Sequence, residues 1–348
     1  MISKAPGSAR GFVVFVTPQP RRCVLAGRCR VRLPVPTTPT ILGTTLAGIA
    51  LRNPVILAAG TCGVMTEMAD VLDLSQIGAL TTKSITPQPR EGNGTWRILP
   101  AGAAGMLNAI GLANPGLDAF LEHYAPKAAG LPCPVIASVA GFSIDDYASC
   151  AAELDEFAGR NIPAIELNVS CPNVKTGVEF GSSAASIRDL LAVVRPLVTR
   201  CKLFVKLGPL TPELPLVALA AAGAGADALT LGNTIPAMAI DVHTRRPKLA
   251  NVTGGLSGPG LHPVAVRHVY EVYKKVTRET GIPLIGLGGV LAWEDAAEFL
   301  LAGATAVGIG TGLYADPRIP LTVIRGLEKW TRAQGVANIS ELTGAIRL

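Results

Sequence analysis

Eight short runs of apolar and β-branched residues recur along the chain: 53–59 (NPVILAA), 79–86 (ALTTKSIT), 134–141 (PVIASVAG), 164–170 (AIELNVS), 203–208 (LFVKLG), 227–234 (DALTLGNT), 283–290 (PLIGLGGV) and 306–314 (AVGIGTGLY). They are nearly continuous in apolar residues, as expected of parallel strands buried on both faces. Helical patterns lie between them, at 144–158, 186–199, 212–222, 263–280, 293–301 and 320–333, with one more at 117–128. The first follows Ser143, a good N-cap, and has Asp145 and Asp146 in its opening turn, where the helix dipole favours acids. Parallel strands need such crossovers. Eight alternations of strand and helix predict an α/β fold, a closed (β/α)8 TIM barrel over 38–348 with loop insertions at its C-terminal face. An open doubly wound sheet is the alternative.

Two connections are too long for simple turns. Segment 87–131 holds one helix and about 30 residues without periodicity, and 235–261 is rich in Gly and polar residues. Long loops in compact domains tend to carry function. Both follow strand ends and are expected at the face where barrel active sites lie.

Charge refines the domain picture. The net charge is +6, but seven of the 31 basic residues and none of the 25 acidic ones fall in 1–37. Segment 38–348 therefore carries 24 basic and 25 acidic residues, which gives no basic face for nucleic acid. Residues 1–37 read as a disordered basic extension, with a targeting peptide as the alternative. No apolar run approaches the ~20 residues of a membrane helix. Seven scattered Cys without a C-x-x-C, and four His without ligand spacing, predict free thiols, no metal site and a reducing, cytoplasmic setting.

The candidate chemistry sits at the strand ends: Ala59-Gly60-Thr61, Lys83-Ser84, Asn168 to Asn173, Lys206, Asn233-Thr234, Gly288-Gly289 and Gly310-Thr311. Polar groups inside apolar strands are costly unless paired or bound to something. Two Lys and two Asn at one mouth point to a polar or anionic ligand. Gly pairs after the last two strands suit a phosphate site built from backbone N–H groups, to which the loop 254–258 (GGLSG) can add donors. Cys171 can act as base or nucleophile. No His lies near it in sequence, so a Cys/His pair is not indicated.

At these residues the chain resembles the class 1 dihydroorotate dehydrogenases. The matching stretches are NPVILAAGT (53–61), TTKSIT (81–86), GMLNAIGLANPG (105–116), ELNVSCPNVKTG (166–177), VKLGP (205–209), LGNT (231–234), TGGLSGPG (253–260), IGLGGV (285–290) and GTGLY (310–314). The resemblance covers about 38–348 and implies an FMN-binding barrel that oxidises dihydroorotate to orotate in pyrimidine (UMP) biosynthesis. By that resemblance Cys171 is the base that takes the C5 proton. Lys83, Asn108, Ala109, Ile110, Gly111, Leu112, Asn168, Asn173, Asn233 and Thr234 hold substrate. Ala59, Lys83, Ser84, Ser138, Asn168, Lys206, Gly232 and Gly258 line FMN, and Gly288, Gly289, Gly310 and Thr311 hold its phosphate. NAIGLANPG and SCPNVKTG resemble the NAD-linked subclass 1B. This implies a separate electron-transfer subunit with FAD and a [2Fe–2S] cluster, around a homodimeric core. The fumarate-using subclass 1A and the dihydropyrimidine dehydrogenases are the rivals; the latter carry His where Asn173 stands. A catalytically silent FMN-binding barrel is the non-enzymatic rival, and the retained Cys171 and both Lys oppose it. Ser138 stands where the family has Asn, Ala59 where Ser is common, and Cys62 where Phe is common.

Overall fold

The computed structural model describes residues 40–169, 180–211 and 213–348. The expected basic extension 1–37, and the expected site residues Cys171 and Asn173, lie outside the described residues.

All eight expected strands form, and they close into a barrel: β1 (Val55–Leu57), β2 (Ala79–Thr81), β3 (Val135–Val139), β4 (Ala164–Asn168), β5 (Lys202–Leu207), β6 (Ala228–Leu231), β7 (Leu284–Leu287) and β8 (Ala306–Ile309). Each strand pairs in parallel with its sequence neighbour, and β8 closes on β1 through Val307↔Val55 and Ile309↔Leu57. Along each strand, alternate residues face outward. Val135, Ile165, Leu203, Leu229 and Val307 are completely buried against a ring of helices: α1 (Leu117–His123), α2 (Ile144–Asp155), α3 (Ala184–Val194), α4 (Leu214–Gly223), α5 (His262–Val272), α6 (Trp293–Ala302) and α7 (Ile319–Ala333). Helix starts follow local chemistry. Ser143 accepts from the Asp146 N–H and Ser183 from the Ser186 N–H, each satisfying an orphan donor of the first turn.

The expectation of a helix after every strand fails once. Between β1 and β2 the chain makes only two 3-10 turns, Glu67–Asp70 and Leu74–Gln76. Side chains tie this segment down instead. The Glu67 carboxylate accepts from the Val64 and Met65 N–H groups, and Asp73 accepts from Ser75. The helix expected at 117–128 also shortens to α1 plus a 3-10 turn, Ala125–Gly130, with Pro126 at its start.

The two long connections are not irregular loops, as their lack of periodicity suggested. Ile98–Pro100 and Met106–Asn108 from the first pair with Ile235–Ala237 and Gly254–Ser257 from the second. They form one antiparallel sheet in the order 235–237, 254–257, 106–108, 98–100. This sheet has its own small core of Leu107, Ala109 and Leu249.

The barrel interior is layered, as alternate strands contribute alternate levels. At the N-terminal end all eight strands contribute to one apolar cluster: Ala79, Ala164, Ala228 and Ala306, with Ile56, Ile136, Phe204 and Ile285. A hairpin, Thr44–Leu46 with Ile49–Leu51, seals this end with Leu46 and Leu51. Its two-residue turn, Ala47-Gly48, has positive φ at both positions, the twist that a tight hairpin favours. One level up, the even strands place Thr81, Glu166, Thr230 and Gly308 around an internal cavity of about 10 Å3. Above that, Lys206 and Leu287 lead into the open mouth.

Candidate active site

The mouth is a cavity of about 390 Å3 between the C-terminal strand ends and the four-stranded sheet. The structure brings most of the candidate residues to it. Lys83, Asn108, Ala109, Ile110, Gly111, Leu112, Asn168, Asn233 and Thr234 line it, as do Ala59, Ser84, Lys206, Gly258, Gly288, Gly289, Gly310 and Thr311. The 108–112 residues arrive with the end of strand Met106–Asn108, whose Asn108 amide donates to Gly255 O at 3.4 Å. One candidate segment thus roofs the cavity and the other floors it.

Ser138 and Gly232 are placed differently. Ser138 is fully buried in β3, behind the cavity wall. Its Oγ lies 2.9 Å from Ser84 Oγ, which accepts from the Asn168 amide at 3.3 Å. Asn233 in turn donates to Asn168 Oδ1 at 3.3 Å, and Tyr147 OH donates to Asn168 O at 2.9 Å. A polar chain therefore ties the ends of β2, β3, β4 and β6 together and holds the amide of Asn168 in one orientation. Gly232, at φ +135°, lets β6 pass the β7 backbone. A Cβ there would lie 1.9 Å from Leu287 O.

Lys206 is the most telling group. The residue is 5 % exposed, yet its ammonium makes no hydrogen bond or ion pair with any of the described residues. A buried ammonium is costly unless something compensates it. Its register partner Asn168 and its neighbour Thr230 fix where it stands in the barrel.

At the opposite side the loops after β7 and β8 meet the loop before α5. His262 donates through Nδ1 to Gly288 O at 2.8 Å, and Thr311 donates to Ser257 Oγ at 2.7 Å. Gly289 has no room for a side chain: a Cβ would meet Gly258 O at 2.7 Å and His262 N at 3.1 Å. Among the described residues, the N–H groups of Gly289, Gly310 and Thr311 find no acceptor. Backbone donors facing a cavity without acceptors suit an anionic oxygen ligand.

Met106, Asn251 and Thr253 also line the cavity, and the sequence reading did not single them out. Asn251 and Thr253 stand just before the flagged Gly254-Gly255, and their only signal was that proximity. Cys62 does not line it. Its thiol donates to Thr81 O at 3.1 Å, and burial, reinforced by Glu67, pushes it up to about 12. Among the described residues no cluster of His, Cys, Asp and Glu could hold a metal. None of the described helices is long and apolar enough to cross a membrane.

Residues 41–330 match the family model described as dihydroorotate dehydrogenase. Among curated proteins, the chain is 47% identical over 301 residues to the "Dihydroorotate dehydrogenase B (NAD(+)), catalytic subunit" of Desulforudis audaxviator, spanning 86% of this chain and 95% of that one. It is 44% identical over 308 residues to the protein of the same name from Geobacter sp. strain M21, spanning 88% and 98%. Among solved structures, its fold is similar to that of Eimeria tenella DHODH in complex with ferulenol, with a TM-score of 0.73 at 24% identity over 87% of this chain and 88% of that one. With residues 41–330 matched by the family model and a relative 47% identical over 86% of the chain, the chain belongs to the dihydroorotate dehydrogenase family.

Proposed function

We propose that this chain is the catalytic subunit of an NAD-linked dihydroorotate dehydrogenase, the subclass 1B arrangement. It oxidises (S)-dihydroorotate to orotate at the barrel mouth, with FMN as its resident cofactor, in cytoplasmic pyrimidine biosynthesis. Lys206 is the observation that carries the reading: a cation on a residue only 5 % exposed, with no partner among the described residues, at the floor of a cavity whose far side offers backbone donors that no described residue accepts from. The residues present fit FMN in both respects. Lys206 suits the electron-rich edge of the isoalloxazine ring, and Gly289, Gly310 and Thr311 suit its phosphate. FMN, when bound, supplies the two-electron acceptor that no side chain can provide.

The chain's own residues bind, orient and deprotonate. Asn108, Asn168, Asn233 and Thr234 present three amides and a hydroxyl to a polar ring substrate from floor and roof together. The Ser138–Ser84–Asn168–Asn233 chain holds two of those amides still, so little ordering remains to be done on binding. Lys83 adds positive charge on the substrate side for the carboxylate. In the sequence Cys171 comes three residues after Asn168, the last residue of β4, which lines the cavity. We assign it as the base that removes the C5 proton, with Asn173 beside it as a substrate ligand. The FMN domain is assigned to 38–348.

Electrons then leave by another chain. The four-stranded sheet roofs the mouth, and no strand–G-x-G-x-x-G–helix unit offers a dinucleotide site. A docked subunit with FAD and a [2Fe–2S] cluster, on a homodimeric core, completes the route to NAD⁺. Steady-state turnover of the isolated chain and of a co-purified complex tests this. The complex should reduce NAD⁺ and the isolated chain should not. Rapid NAD⁺ reduction by the isolated chain would refute the partner, and rapid fumarate reduction would assign subclass 1A instead.

A further inference from the structure

Glu166 is an acid in the middle of β4, between Ile165 and Leu167, 3 % exposed and pointing into the barrel. Its carboxylate accepts from Thr230 Oγ1 at 2.7 Å. Among the described residues it has no cationic partner in direct contact. Lys206 shares this layered interior, one inward-facing step further along β5 than Phe204, the register partner of Glu166. Glu166, Thr230, Thr81 and Lys206 share the walls of the same internal cavity of about 10 Å3. That is room for about one water molecule, and the walls offer it a carboxylate, two hydroxyls and an ammonium. A cavity of that size beside two buried ionisable groups of opposite sign suits a water-bridged pair, which lowers the desolvation cost of both.

We propose that Glu166 is the positioning residue for Lys206: bridged by one buried water, its carboxylate holds the ammonium at the cavity floor and offsets part of the positive charge that the flavin meets. The inference rests on the FMN reading above. It assigns a function to a residue that touches neither substrate nor flavin. The bland alternative is that Glu166 and Thr230 only bolt β4 to β6.

The two differ in what they move. Removing the acid leaves Lys206 uncompensated and should favour the anionic reduced flavin and any adduct that places negative charge on the ring. The test uses wild type, Glu166→Gln, Thr230→Val, Lys206→Met and the double variant Glu166→Gln/Lys206→Met, each reconstituted with FMN. Sulfite affinity and the two-electron midpoint potential are then measured. Glu166→Gln should bind sulfite about tenfold more tightly and shift the potential upward by about 30 mV, the equivalent of tenfold for two electrons. Thr230→Val, which keeps the charge, should leave both near wild type. In the Lys206→Met background Glu166→Gln should have little further effect, because its route to the flavin is gone. Wild-type values in Glu166→Gln, or an equal shift with and without Lys206, would overturn the proposal.

A flavin-free measurement separates this from the cofactor reading. In the apoprotein, Lys206→Met strands a buried acid and should lower Tm, and Glu166→Gln/Lys206→Met should recover part of that loss. A double variant no more stable than Lys206→Met would overturn the pairing, even if Glu166→Gln alone failed to fold. Failure of the wild-type chain to bind FMN would instead strike the cofactor reading and leave the apoprotein cycle to decide the pair.

Discussion

The two halves of the barrel interior are built from the same eight strands on the same alternation, yet they share almost no chemistry. The N-terminal half is Ile56, Ile136, Phe204 and Ile285 packed on four alanines and capped by Leu46 and Leu51. The C-terminal half holds Glu166, Lys206, Asn168 and Lys83, with glycines where backbones must approach each other or a ligand. Sequence steps of two residues separate them: Ala164, Glu166 and Asn168 on β4, and Phe204 and Lys206 on β5. A strand here spends its first inward residue on stability and its next ones on binding. Substitutions at the two ends should therefore fail in different assays.

The largest expected effect is at the mouth. Cys171→Ser should slow reduction of the bound flavin by dihydroorotate by about 10²- to 10⁴-fold, the usual loss for a positioned base. Raising the pH should partly restore the rate, because a hydroxyl is a far poorer base than a thiol of pKa ~8.5. Single-turnover stopped flow measures this, and the melting temperature should not move. An unchanged rate would place the base elsewhere.

At the sealed end the pattern should invert. Phe204→Ala empties the centre of the bottom layer and should cost about 3–5 kcal/mol in denaturant unfolding. The rate per folded, flavin-loaded molecule should stay close to wild type. A large kinetic defect without a stability loss would erase the division between the halves.

A third effect lies outside the barrel. Asp155, the last residue of α2, ties that helix to the segment before β5 by accepting from the N–H groups of Thr199, Arg200 and Cys201. Burial works against its charged form, but those N–H donors outweigh it and hold its carboxyl below the usual range. The group's stabilisation is thus present above the ordinary Asp value of ~3.9 and fades as pH falls through its lower folded value. Asp155→Asn should cost about 2 kcal/mol at pH 7, and the difference from wild type should shrink in acid. A pH-independent difference would show that the charge is not involved.

The smallest effect concerns the buried thiols. Burial pushes Cys62, Cys133, Cys150 and Cys201 up to about 12. At pH 8 they should resist iodoacetamide until the protein unfolds, as peptide mass spectrometry would read. Cys62→Ser should change flavin reduction little, since a hydroxyl can still donate to Thr81 O. Rapid labelling of Cys62 in the folded protein would show that the wall behind Lys83 opens.

What could be read from the sequence follows burial. The eight strands were legible because both faces are covered, so VIL, VIASV and LFVKL stand out as apolar runs. The first crossover was misjudged because its turns are held by Glu67 and Asp73 side chains rather than by a helical period. The roof sheet was missed because its strands are three or four residues long and pair across a gap of about 150 residues, as in Gly255↔Asn108. Three residues cannot show alternation, and only the tertiary fold brings them together. Within the site, Lys83, Lys206 and the asparagines were visible as polar residues ending apolar strands. Glu166 carried the same signal and was passed over because it lies inside its strand rather than at the end. Ser138 could be placed on β3 from sequence, but not behind Ser84, since that depends on the strand stagger.

Anaerobic mixing of the purified, FMN-loaded chain with dihydroorotate tests the central claim most directly, because it needs neither acceptor nor partner. The flavin absorbance near 450 nm should bleach in one fast phase, with about one orotate formed per flavin. A flavin that stays oxidised in the presence of excess dihydroorotate would contradict the account.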